Sequence, residues 1–394
     1  MPVRIGLMSI KDLQMIRWKT EYENACVQGS TYDVESGVRE CHLMVRAYPC
    51  GPFSQQLDAV RAAFAEVCAG TCAGLAPVFV RYFLSDAANQ EAELGTSVED
   101  IHGCAVSVVE QPPLDGTKVA IWAVLQSDMT VAKISEGMWM AEHDGYGHIW
   151  TAGASLEGGD SCSQTREMLD AYDASLQKQG CGVADDCIRT WFFVQDVDEN
   201  YAGVVKGRKE MFDRIGLTKD THYIASTGIA GRNAARTSLV TMDAYAVKGL
   251  EASQIRYIKG STHLNPTHEY GVTFERGAAV EYGDRRHVLI SGTASIDNNG
   301  TIVHPGDVAM QTRRMWENVE VLLNEVECTY DDVMHMIVYL RDIADSSQVK
   351  AMFEERFPDF PKVYVWAPVC RPGWLIEMEC MAIKAVDDTG YKTY

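Results

Sequence analysis

The stretch Pro361-Lys-Val-Tyr-Val-Trp-Ala-Pro-Val-Cys-Arg-Pro-Gly-Trp-Leu-Ile-Glu-Met-Glu-Cys-Met-Ala-Ile383 decides how this chain is read. It divides into two strands, Val363 to Val369 and Leu375 to Ile383, joined by a short turn at Pro372-Gly373. Side chains alternate faces along a strand, so Glu377 and Glu379 share one face while Ile376, Met378 and Cys380 share the other. Arg371 sits in the turn, close in sequence to both strands. A cation and a carboxylate at the edge of an apolar strand pair suit recognition of a small anion coupled to proton transfer. An ordinary Arg/Glu ion pair at a strand end has the same pattern.

Working outward, the same sequence of elements recurs three times. Gln311 to Leu323 has helical spacing, with Met315, Val319, Leu322, Leu323 and Val326 on one face. Gln164 to Leu176 repeats it with Met168, Tyr172 and Leu176, and residues 55–67 form a looser copy. A strand ending in Asp follows each helix, at Asp86, Asp196 and Asp342. A second helix follows in two copies, marked by Val204, Met211, Phe212 and Ile215 and by Val349, Met352, Phe353 and Phe357. In the first copy it is short or lost. Each unit closes with a strand pair: Cys104–Glu110 with Lys118–Leu125, Tyr223–Ile229 with Ser238–Val247, and the opening stretch. His148-Ile-Trp-Thr-Ala-Gly matches His287-Val-Leu-Ile-Ser-Gly near the start of the later units, with the run from Glu40 as the first copy.

The chain therefore reads as three tandem α+β units, 1–128, 129–262 and 263–394, of roughly 130 residues each, an ordinary domain size. A sheet covered by two helices on one face leaves its other face bare. Three such units bury those faces against one another around a pseudo-threefold axis, which predicts a monomer that is an internal pseudo-trimer.

Composition narrows the function. The 394 residues carry a formal charge of −20, which argues against nucleic acid and anionic membranes as partners. An anionic ligand gains nothing from that overall field, so its site needs local arginines. The 12 cysteines include no CxxC pair, and Cys68 and Cys72 are four apart. The pattern suits free thiols in a reducing compartment. The first ten residues are too short an apolar run for a signal peptide, and no stretch has the length of a membrane span, so a cytoplasmic protein is expected. His263 with His268 and His143 with His148 lack metal-ligand spacing. Neither metal nor cofactor is expected.

The last unit resembles the RidA/YjgF (endoribonuclease L-PSP-like) family, whose fold is chorismate-mutase-like. The features are Ile290-Ser-Gly-Thr-Ala-Ser-Ile296, Gln311 to Leu323 with Asn318, Val338-Tyr-Leu-Arg-Asp342 and Ile376-Glu-Met-Glu379. The resemblance implies a trimer-like assembly with clefts between neighbouring units. Imine-hydrolysing members hold the substrate carboxylate with an arginine just after a Phe-Pro segment. Here Phe360-Pro361 is followed by Lys362, which lacks the bidentate fork. The segment Val369-Cys-Arg-Pro-Gly-Trp-Leu-Ile-Glu377 is similar to another branch, the chorismatases, which act on the enolpyruvyl ether of chorismate. By that resemblance Glu377 is the catalytic acid and Cys370 shapes the ring pocket.

The three copies also provide an internal control. Glu377 falls opposite Thr241 and Ala120, so the fold does not demand a carboxylate there. Glu379 falls opposite Asp243 and Trp122, and a recurring acid points to a structural role. The candidate site is then Glu377 as acid, with Arg371, Cys370, Lys362, Tyr364, Thr293, Ser295 and Arg81 around a small carboxylate ligand. For Arg81 and Arg341 a solvated strand end remains the alternative, and for Thr293 and Ser295 local backbone bonding. The glycine-rich run 223–232 reads as a hairpin turn. Three functions stay open: a chorismatase, an imine or enamine deaminase, and a non-catalytic small-anion binder.

Overall fold

The structure is a computed structural model, and it describes residues 15–34, 37–49, 51–95, 98–387 and 390–394. The opening ten residues lie outside these.

The first unit comprises β1 (Met15–Glu21), β2 (Ala25–Tyr32), β3 (Glu40–Ala47), α1 (Phe53–Ala69), β4 (Ala76–Leu84), α2 (Ala87–Leu94), α3 (Val98–His102), β5 (Ala105–Glu110) and β6 (Val119–Gln126). The second has β7 (Thr130–Ser135), β8 (Met138–His143), β9 (Tyr146–Ser155), α4 (Ser161–Gln177), α5 (Val183–Asp186), β10 (Cys187–Val194), α6 (Val197–Ile215), β11 (Ala225–Ala230) and β12 (Val240–Lys248). The third has β13 (Ile255–Ile258), β14 (Gly277–Glu281), β15 (Arg285–Ala294), α7 (Val308–Glu325), β16 (Val333–Leu340), α8 (Ser346–Arg356), β17 (Lys362–Trp366) and β18 (Ile376–Ala385). Each unit builds one six-stranded mixed sheet, and in the third the order is β13-β14-β15-β18-β16-β17.

The long helices start where the sequence supplies caps. Asp160 accepts from Ser163 N at 2.8 Å to begin α4, and Asp307 accepts from Met310 N at 3.0 Å to begin α7. In the first unit the second helix is reduced to α2 and α3. Two sequence expectations change. The closing strands are not a hairpin: β17 pairs with β16 in parallel and β18 pairs with it antiparallel from the other side. A strand inserted between them needs a connection longer than a tight turn, and residues 367–375 provide it. The 129–262 boundary also moves, because Ile255–Ile258 pairs with β14 as the outer strand of the third sheet.

The sheets meet cyclically. β5 packs on β9, β11 on β15, and β16 on β3, so each unit touches both others. The largest apolar core runs through all three units, and smaller cores lie within the first and second. Equivalent positions converge: His287 Nε2 lies 3.4 Å from Glu40 Oε2, and the Tyr394 ring packs, tilted, at 4.3 Å from His287 and 4.5 Å from His148. Such a pattern suits the expected internal pseudo-threefold. Among the described residues no helix is long and apolar enough to cross a membrane.

Candidate active site

β18 carries both acids, but their surroundings differ. Glu379 is held from the second unit: Arg189 Nη2 donates to it at 2.8 Å, Trp191 Nε1 at 2.7 Å, and Thr227 Oγ1 also donates. Asp243, the equivalent residue on β12, accepts from Arg81 of the first unit at 2.7 Å and 3.1 Å and from Gly153 N at 2.8 Å. At the third such position the Trp122 ring packs, tilted, at 4.4 Å on His335. This position carries the contacts between units, and its acids are structural.

Glu377, one pleat earlier, faces a cleft between the second and third units. Tyr201, Arg208, Ser226 and Gly228 come from the second unit. Arg276, Gly292, Cys370, Arg371 and Trp374 come from the third. The cavity is small, about 30 Å³ within a cleft envelope of about 490 Å³. A ring-sized ligand enters only if rim side chains part.

Local backbone geometry makes room for the acid. Pairing between β15 and β18 shifts register between Ile290 and Thr293, a bulge that places Gly292 against β18. A Cβ on Gly292 would lie 2.0 Å from Glu377 Oε1. Gly228 likewise clears the Tyr201 ring, where a Cβ would come within 2.6 Å. Burial, reinforced by Glu379, pushes the Glu377 carboxyl up to about 8, against the opposing pull of Arg189 and then Arg276. Its surroundings thus favour the protonated form of Glu377.

The cleft brings together three of the sequence-predicted residues: Glu377, Cys370 and Arg371. The Arg371 guanidinium lies 5.4 Å from the Trp374 ring centroid. Burial pushes the Cys370 thiol up to about 12, which suits a wall and not a nucleophile.

The other five lie elsewhere. Lys362 is 1% exposed and donates to Phe357 O at 2.8 Å while pairing with Glu354 at 3.0 Å, so it closes the end of α8. Tyr364 packs on Phe353, with ring centroids 5.6 Å apart. Thr293 donates to Ser291 O at 2.9 Å and Ser295 to Val303 O at 2.7 Å, both satisfying backbone. Arg81 is neither in the cleft nor a solvated strand end. It is wholly buried on Asp243, with Trp122, Trp191 and Phe193 about it. Arg341 donates to Val369 O at 2.7 Å and pairs with Asp198.

Sequence reasoning missed Arg208, Arg276 and Tyr201. Arg208 had a signal: it falls on the apolar stripe of α6, one turn from Val204 and Phe212, where an arginine needs a reason. Its Nε donates to Thr273 Oγ1 at 3.0 Å and its Nη1 to Ser226 Oγ at 3.2 Å. Ser226 occupies on β11 the position Lys362 occupies on β17: they pair with Thr190 and Met336, which pair with Ala244 and Cys380. At this cleft a helix-borne arginine therefore stands beside the strand position expected to carry the cation. The glycine-rich run 223–232 is likewise no hairpin turn. It contains β11, whose Ser226 and Gly228 face the cleft.

Fold and site together define a three-unit α+β protein with an acid-bearing cleft between its second and third units. The family model described as endoribonuclease L-PSP matches residues 277–384. A RutC family protein of Pyrococcus abyssi is 31% identical over 108 residues, 27% of this chain and 84% of its own length. The 3-aminoacrylate deaminase RutC of Acinetobacter baylyi is 34% identical over 97 residues, 24% of this chain and 77% of its own. A crystal structure of a chorismatase, 18% identical, covers 78% of this chain and 93% of its own with a TM-score of 0.61, a likeness of fold. The chain belongs to the endoribonuclease L-PSP family, the RidA/YjgF group, through its third unit.

Proposed function

We propose that this protein is an enzyme of the chorismatase type, acting on a small cyclic carboxylate with an enolpyruvyl ether, chorismate being the favoured case. The observation that carries this reading is Glu377: a buried acid whose surroundings favour its protonated form, in a cleft that also holds Arg208, Arg276 and Arg371. Protonating the methylene carbon of an enol ether creates an oxocarbenium-like centre. Attack by water, or elimination, then releases pyruvate. The guanidinium groups anchor the carboxylates, and Trp374 and Phe274 offer apolar wall to the ring.

The relation of the third unit to a 3-aminoacrylate deaminase supports a second reading, hydrolysis of an enamine or imine by the same acid. Incubation with chorismate, following pyruvate, tests the first; incubation with an enamino acid, following ammonia, tests the second. Glu377→Gln is expected to lower turnover by about 10²- to 10⁴-fold. Ligand binding without turnover of either substrate would leave a small-anion binder.

A further inference from the structure

In the first unit, outside the acid-bearing cleft, two free thiols face each other. The Sγ atoms of Cys41 and Cys72 lie 3.5 Å apart. Cys41 is fixed on β3, in the sheet face under α1, where its Sγ also accepts from Thr31 Oγ1 at 3.5 Å. Cys72 sits in the turn that ends α1. Its N–H donates to Val67 O at 2.8 Å, and its carbonyl accepts from Leu75 N at 3.0 Å. Ala69, Gly70, Thr71, Ala73 and Gly74 around it are exposed, while Cys72 itself is 1% exposed. The exposed residues on either side set the thiol just beneath the surface. Arg39 donates to Ala73 O at 2.7 Å, which sets a guanidinium beside the turn.

We propose that Cys41 and Cys72 form a reversible modification site, a dithiol–disulfide pair oxidised by hydroperoxides. A disulfide bond is about 2.05 Å long, so closure needs a movement of about 1.5 Å, within reach of side-chain rotation and a shift of the turn. The chemistry balances with hydrogen peroxide as the two-electron oxidant. The Cys72 thiolate attacks one peroxide oxygen and the O–O bond breaks. This gives a sulfenic acid and a hydroxide that takes up a proton to become water. Cys41 then attacks the Cys72 sulfur, giving up its thiol proton as the S–S bond forms. The S–O bond breaks, and the departing hydroxide with the Cys41 proton forms the second water. The order follows from position. Cys72 lies in a turn flanked by exposed residues, whereas Cys41 is wholly buried on β3; contact with Cys41 also draws the Cys72 thiol down, against its burial, with the Arg39 guanidinium adding to that pull. The bond would tie β3 to the end of α1, joining residues 31 apart in sequence.

The test is titration of the full chain with hydrogen peroxide, alkylation of the remaining thiols, and non-reducing peptide mapping by mass spectrometry. The expected result is a Cys41–Cys72 cross-linked peptide, two thiols lost per chain, and both restored by dithiothreitol. Cys68→Ser should leave the cross-link intact, and Cys72→Ser should abolish it. Mapping of the unaltered protein decides the matter even if Cys72→Ser fails to fold. Cys72 found as sulfinic acid with Cys41 still a thiol, a Cys68–Cys72 bond, or no oxidation at either position would overturn the proposal.

Discussion

At the scale of single residues, one carboxylic acid separates the third unit from its siblings. Glu377 stands where the other units carry Thr241 and Ala120, a difference legible in the sequence alone. What the sequence did not show was its charge state, which depends on burial and on neighbours from another unit. Its folded value of about 8 lies above the ordinary 4.5, so the folded protein holds a proton that the unfolded chain releases. Stability from this group is fully present below pH 4.5 and is lost as pH rises through about 8. In Glu377→Gln that falling limb should flatten, as denaturant unfolding between pH 5 and 9, about the span of the shift, would read out. Activity depending on the protonated acid should fall off above about pH 8. Gly292→Ala tests the same carboxylate from the backbone side. The added methyl falls on Glu377 Oε1, so turnover should drop by at least about 10²-fold while circular dichroism stays native.

At the scale of elements, the arrangement rests on side chains that reach from a strand of one unit to a strand of the next. Glu379 and Asp243 were legible as structural because an acid recurs there, yet their partners Arg189 and Arg81 come from the preceding unit, which periodicity cannot reveal. Lys362, Tyr364, Thr293 and Ser295 were misplaced for the opposite reason. Each is near Glu377 in sequence or sheet, but its side chain serves the local backbone or packing of the third unit. Removing one member of a buried ion pair leaves the other charge stranded. Glu379→Ala should therefore cost about 3 to 5 kcal/mol in equilibrium unfolding. Replacing Glu379 and Arg189 together by apolar residues of similar volume should recover much of that loss. Equal costs for single and double replacements would contradict the assignment.

At the scale of the whole molecule, three tandem units were readable from recurring helix and strand patterns, because period and order survive divergence that erases residue identity. The strand order within each sheet was not, since a β-strand inserted between two others leaves no local signature. The cyclic contacts of β5 on β9, β11 on β15 and β16 on β3 already bury the inner sheet faces within one chain. Sedimentation equilibrium should accordingly give one chain, 43.7 kDa. A trimer three times heavier would show that these faces are shared between chains.

Of the three equivalent strand positions the third carries an acid, Glu377, where the others carry Thr241 and Ala120, and the claim that it serves a ligand is open to a direct look. A crystal of the protein soaked with chorismate or a non-reactive cyclic dicarboxylate should show density between Glu377 and the guanidinium groups of Arg208, Arg276 and Arg371. Density only in another cleft, or at Glu377 without any of those arginines in contact, would contradict the account.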